Sequence, residues 1–358
     1  MDAYQYGPYG RQQQSDSSAA PRVLGAAALL VTALAVAAVL FLPAGEQGAE
    51  SEGTHVPILG VSHMVYPSEV VRNLAQPTGD DWLFPAASVE AGGATFVLDS
   101  GNNRVLKLDP SETVVVDGLG DGPGEAVLNG AMAMATDGER LYIANSLASQ
   151  VIVAGLDGDT EKVLTLTRSP GDVKDPRPIG IAVTQGGEIV VSDANNHRVV
   201  WLDSNGNVVR SAGNGARAGG QSGFNVPSGL TTDAAGNVYV VDTLNGRVVE
   251  LSPDASWVRD FGKLGDTTGA LARPKGVAVD AAGRVFVSDS LLAAVEVFGP
   301  DGSYLGMIGR KSAEDAASGS IFHAPGSLRL SGNDLYVTDR VGGLITLRVS
   351  EPAGTAVQ

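Results

Sequence analysis

An acid or amide that closes a short apolar strand recurs at Asp99, Asn145, Asp193, Asp242, Asp289 and Asp339, at intervals of 46, 48, 49, 47 and 50 residues. Each interval repeats one pattern: a Gly- or Asp-rich hairpin, a β-branched run, the closing acid, a polar turn, then further apolar residues. The copies starting at Pro178 (PIGIAVTQGGEIVVSDANNHRVVWLDSNG), Pro227 and Pro274 are the clearest. Gly and Asn supply the positive φ that tight hairpins need, and Pro fixes a turn's first corner. Runs such as Glu188-Ile189-Val190-Val191-Ser192 are too short for helices and carry the β-branched composition of buried strands. A repeat of this length built from strands alone predicts an all-β, six-bladed β-propeller, with one four-stranded blade per copy.

The ends of the array predict how the ring shuts. The sixth copy stops after its third strand, Leu344-Ile345-Thr346-Leu347-Arg348-Val349, with nine residues left. Ser68-Glu69-Val70-Val71-Arg72-Asn73, ahead of the first copy, resembles a fourth strand such as Asn207-Val208-Val209-Arg210-Ser211. The N-terminal strand is therefore expected to complete the last blade, removing the open edges a sheet would otherwise expose.

The chain divides into five parts. Residues 1–22, with Gly, Pro, Tyr and a glutamine run, cannot bury a core and read as a disordered cytoplasmic tail. Residues 23–42 (VLGAAALLVTALAVAAVLFL) hold no charge, and twenty residues of helix span roughly 30 Å, the thickness of a bilayer's hydrocarbon core. The run exceeds the about 7–15 apolar residues of a cleaved signal peptide, the rival reading. Arg11 and Arg22 precede it and Glu46, Glu50 and Glu52 follow, so a single-pass anchor with a cytoplasmic N-terminus and an exported, extracellular propeller is expected. Residues 43–60 read as a flexible linker, 61–350 as the propeller and 351–358 as a C-terminal tail.

The net charge is −16, and the four charges of residues 1–22 cancel, so the excess lies wholly on the exported part. An acidic domain repels phosphate backbones, which makes nucleic acid a poor partner. The chain has no cysteine, so the fold must rest on its apolar core.

The sequence Pro-x-Gly-hydrophobic-Ala-Val, a Gly turn, hydrophobic-x-Val-x-Asp and Asn-x-Arg-Val, followed almost throughout from Pro178 to Val199, resembles the NHL repeat. The second half of the pattern recurs from Pro85 to Val105. Asn145 and Gln150 replace the usual Asp and Arg in the second copy, and Leu344 replaces Arg in the sixth. An anchor followed by such a propeller resembles the exported sensor domain of actinobacterial receptor-type serine/threonine kinases, here without a kinase domain. The resemblance implies a binding or sensing module for a protein, peptide or glycan, recognised on the inter-blade loop face. Other NHL-like propellers imply a second reading, an exported hydrolase or lyase of the lactonase or amidating-lyase kind; a structural scaffold in an envelope complex is the third.

No catalytic residue, metal ligand or cofactor is assigned from the sequence. Asp99, Asn145, Asp193, Asp242, Asp289 and Asp339 each sit at a strand end, where a carboxylate accepts backbone N–H groups, and Arg104, Arg198 and Arg247 follow at one offset to pair with them. A feature present in every copy is structural rather than a unique site. The amidating-lyase resemblance implies three zinc-binding histidines, yet only His197 and His323 fall on the loop face, and His55 and His63 precede the first copy. The gluconolactonase resemblance implies a Glu, Asn and Asp set for a divalent cation, whereas the starts of the first strands here are small or apolar apart from Lys275. Long ordered loops on rigid scaffolds carry binding. The ligand-binding candidates are therefore Asp80, Asp81 and Trp82 before the first copy, and Asp172, Lys174, Asp175 and Arg177 before the third. Arg217, Lys275, and the trio Arg310, Lys311 and His323 complete them. Phe84, Phe224 and Phe322, one to three residues ahead of a copy's leading Pro, are expected to pack between blades.

Overall fold

The computed structural model describes residues 55–58, 61–74, 82–109, 114–117, 126–172, 174–309 and 320–350. The tail, the anchor segment 23–42 and residues 351–358 lie outside them. Among the described residues no helix is long and apolar enough to cross a membrane.

Six four-stranded antiparallel sheets form the ring. Blade three is representative: Pro178–Val183, Ile189–Asp193, Arg198–Leu202 and Val208–Ala212 pair in sequence order. Blade six takes Pro325–Ser331, Asp334–Asp339 and Gly343–Val349 from the C-terminal end and Ser68–Leu74 from the N-terminal end. The join runs from Leu344 opposite Leu74 to Val349 opposite Ser68, so the N-terminal strand closes the ring. Tyr66 pegs this join. Its N–H donates to the Met307 carbonyl at 2.7 Å, its ring meets Phe286 edge-on at 6.3 Å, and its hydroxyl accepts from Arg284 Nη1 at 2.7 Å.

One departure lies just ahead of the ring. His55–Ile58, at the end of the stretch read as a linker, pairs with Val61–Met64 as a two-stranded antiparallel ladder.

The core is divided among the blades. Six apolar clusters each join two neighbouring sheets: Phe96 and Leu98 with Ile143 and Ile152, for example, or Phe286 and Val297 with Leu335 and Leu347. The sixth cluster sets Trp82, Val97 and Leu106 against Leu74 and Leu344, across the seam between blades six and one. Second and third strands are buried almost throughout, whereas the outer fourth strands are largely exposed. At five of the six seams one buried residue comes from the loop three positions ahead of the first strand: Trp82, Leu128, Phe224, Leu271 and Phe322. Phe84 is the exception to the expectation for its residue type. It lies one position ahead of Pro85 instead of three, takes φ 54°, and is 56% exposed.

Candidate functional site

First strands touch their neighbours around the full circle and line the central axis. A collar forms where Met134, Ile181, Leu230, Val277 and Leu328 project, one from each of blades two to six, with Ser88 at the matching register in blade one. Two axial cavities meet this collar from opposite sides. The cavity on the side of the 1–2 hairpins measures about 510 Å³ and is edged by Thr136, Thr231, Thr232 and Ser331. The cation at that end, Arg329, is already engaged, with Glu90 at 3.0 Å and the Tyr336 ring at 3.4 Å.

The mouth on the inter-blade loop face, about 370 Å³, has a different character. Blades one to three contribute Ala86, Ala87, Met132 and Ile179; blades five and six contribute Arg273, Lys275 and Arg340. Among the described residues that line it there is no carboxylate and no histidine. None of the three cations has an ion-pair partner among the described residues, although the chain as a whole carries −16. Burial, then the nearby Arg273 and Arg340 guanidinium groups, push the Lys275 ammonium below the usual lysine range. Burial followed by Arg273 lowers Arg340 in the same way.

The repeat itself builds this mouth. Gly180, Gly229 and Gly276 sit where the carbonyl of the next blade comes closest: a Cβ on any of them would overlap the oxygen of Ser228, Lys275 or Gly326 respectively. The glycine of each Pro-x-Gly thus sets how tightly first strands pack around the axis. The repeated acids position the loops. Asp289 accepts from the N–H groups of Ala272, Arg273, Leu291 and Leu292 at 2.7–3.0 Å, which fixes the backbone carrying Arg273. Asp339 accepts from His323, Ala324, Val341 and Gly342, and the N–H of the next residue, Arg340, donates to the Ala324 carbonyl at 3.1 Å. Where an Arg follows, it shares the load: Arg104–Asp99 is 2.8 Å, Arg198–Asp193 3.2 Å and Arg247–Asp242 2.9 Å. Asn145 does the same work with neutral groups, accepting from the Asn129 N–H and donating to the Val127 carbonyl and Gln150.

Of the sequence candidates among the described residues, Lys275 alone lines the mouth. Trp82 is buried in the seam between blades six and one, not on the face, because it occupies the plug position three residues ahead of Pro85. Asp172 is also drawn inside, bonded to Arg198 Nη2 at 2.7 Å. Lys174, Asp175 and Arg177 are exposed on the loop ahead of blade three, and Asp175 pairs with Arg168 at 2.7 Å, which holds its carboxyl below the usual range. Arg217 and His323 are exposed. Asp80, Asp81, Arg310 and Lys311 lie outside the described residues. His197 folds inward; its Nδ1 accepts the Val226 N–H at 3.1 Å, and burial, then Arg217 and Lys174, lower its pKa.

Arg273 and Arg340 escaped the sequence reading, though register could have found them. Arg340 follows the closing acid, at the position held by Ser100, Ser146, Ala194, Thr243 and Ser290 in the other copies. It is the one charged member of that set. Three cations line the axial mouth, and among the described residues no group of three or more His, Asp or Glu is placed to hold a metal ion.

Comparison with known proteins agrees with the architecture. The NHL repeat model matches residues 176–202. No curated protein matches the sequence. A virginiamycin B lyase from Staphylococcus aureus is similar in structure at 12% identity, covering 80% of this chain and all of its own, with a TM-score of 0.54. A gluconolactonase from Xanthomonas campestris is 17% identical over 86% of this chain and 99% of its own, with a TM-score of 0.54. A protein of unknown function from Bacteroides thetaiotaomicron is 14% identical over 83% and 76%, with a TM-score of 0.58. At such identities the likeness is one of fold.

Proposed function

We propose that this chain is a binding or sensing module, tethered to the membrane by residues 23–42, that takes its ligand at the axial mouth of an exported propeller. The observation that carries this reading is the mouth itself: an open cavity on the loop face, apolar on one side and cationic on the other, in a chain otherwise rich in acid. Concave sites with mainly apolar walls and a few converging polar groups are the usual form of small-ligand pockets. A rigid ring of short strands holds those groups in place, and the ligand is a protein, peptide or glycan presenting an end or side group to the mouth. The uncharged span and the basic residues ahead of it support the anchored, outward orientation. Among the described residues lining the mouth there is no histidine or carboxylate, and Lys275 is the one group there able to act as a base, which supports binding over hydrolysis or lysis.

A photo-crosslinking residue placed at Ile179, on the apolar side of the mouth, tests the reading on intact cells. A discrete adduct is expected there and not from the same probe at Val209, on an exposed fourth strand of blade three. Equal labelling from both positions would overturn it.

A further inference from the structure

The split character of the mouth says more than that something binds. Three cations on one arc repel one another, and no acid among the described residues forms an ion pair with any of them, although the Asp289 carboxylate acts on Lys275 through space. Elsewhere in this chain buried or half-buried guanidinium groups are matched, as Arg198 is by Asp172 and Asp193, Arg247 by Asp242 and Asp260, and Arg284 by Asp280. The cations of the loop-face mouth have no such ion-pair partner among the described residues. Across from them, on blades two and three, lie Met132, Met134, Ile179 and Ile181, whose side chains offer no strong hydrogen-bond donor.

We infer that the mouth binds the oxyanion end, a carboxylate or a phosphate, of a ligand with a small apolar body, the head held by Arg273, Lys275 and Arg340 and the body lying against Met132 and Ile179. The inference rests on the mouth being the ligand site and adds the ligand's chemistry. Arg presents a planar fork suited to two oxygens at once, and Lys a compact charge. An arriving oxyanion removes the mutual repulsion of the three, so the site gains from binding both the new hydrogen bonds and the relief of an existing strain. The cavity has room for a head group and a short chain, and the strand carbonyls and bonded hydroxyls of Ser228 and Ser290 already have partners within the protein.

The test uses the full-length chain in lipid nanodiscs and four probes: butyrate, butyl phosphate, butanol and inorganic phosphate. Affinity is read by calorimetry, and occupancy by the methyl resonance of Met132, which reports a body in the mouth whatever its charge. Butyrate or butyl phosphate should bind at least about tenfold more tightly than butanol, and whichever of the two is tighter identifies the head group. Lys275→Met and Arg340→Gln should each weaken the anions by about tenfold or more, as expected for lost charge-assisted hydrogen bonds, and leave butanol unchanged. Both variants should melt no lower than wild type without ligand, because each relieves like-charge repulsion; a purely structural role would lower the melting point. Should butanol shift Met132 as strongly as the anions, with the variants neutral, the oxyanion inference fails and the mouth remains a binding site. If no probe shifts Met132, the mouth itself is refuted as the site. Inorganic phosphate binding as tightly as butyl phosphate would refute the apolar arm.

Discussion

Replacing Tyr66 by alanine removes the peg that joins the N-terminal strand to blades five and six. The side chain is fully buried, packs in a cluster with Phe286, Ile308 and Val349, and its hydroxyl accepts from Arg284 at 2.7 Å. Truncating a buried aromatic to alanine costs about 3–5 kcal/mol, and the lost hydrogen bond contributes about 1 kcal/mol of the higher values. Arg284 keeps Asp280 at 2.5 Å, so no bare charge is left to enlarge the effect. For large domains a change of 1 kcal/mol moves the melting temperature by about 2–4 °C, which places the expected fall at roughly 6–20 °C. Calorimetric melting of the full-length chain measures it, with two controls. Tyr66→Phe keeps the ring and should lose about 1 kcal/mol or a little more. Val71→Ala, on the exposed face of the closing strand, should change stability by less than about 0.5 kcal/mol. The alanine variant of Tyr66 melting within a degree of wild type would refute the claim that the ring depends on this seam.

Two further substitutions probe the mouth and the core. Gly229→Ala forces a Cβ against the Lys275 carbonyl; with backbone on the opposing side, the first strands of blades four and five must part. A loss of about 1–3 kcal/mol by urea unfolding is expected, together with weaker butyl phosphate binding because Lys275 moves. Glu296 is buried in the third strand of blade five, held by the Tyr304 hydroxyl at 2.7 Å, and burial pushes its pKa up to about 8. A folded-state value above the unfolded one means the folded protein binds more protons. The Glu296 contribution is thus fully favourable below about pH 4.3 and is lost as pH rises through about 8. Glu296→Gln should flatten the stability–pH curve across that window and melt higher than wild type at pH 8.5; parallel curves for the two proteins would contradict it.

The fold was legible because its signals are periodic. Closing acids at near-constant spacing, Gly-Asn hairpins and an unmatched strand at each end together specify a ring, and the pairing of Ser68–Leu74 with Gly343–Val349 is the ring they specify. The seam plugs were only half legible. Grouping them by residue type put Phe84 inside and left Trp82 outside, whereas the fixed offset of three residues selects Trp82, Leu128, Phe224, Leu271 and Phe322. A strand start fixes which way the preceding backbone turns, so position governs burial there more than hydrophobicity does. Asp175 shows the limit of that rule: it holds the same offset ahead of Pro178, and as a carboxylate it stays in solvent beside Arg168. The mouth was the least legible feature, because Arg273, Lys275 and Arg340 come from two blades and three different repeat positions. Nothing in linear spacing brings them together; the closure of the ring does.

A crystal structure of the protein grown with butyl phosphate tests the central claim most directly. The account predicts phosphate density within hydrogen-bonding distance of Lys275 and Arg340, with the butyl chain directed toward Met132 and Ile179. Density for the ligand at the opposite, threonine-edged cavity, or an axial mouth left empty while the ligand is ordered elsewhere, would contradict it.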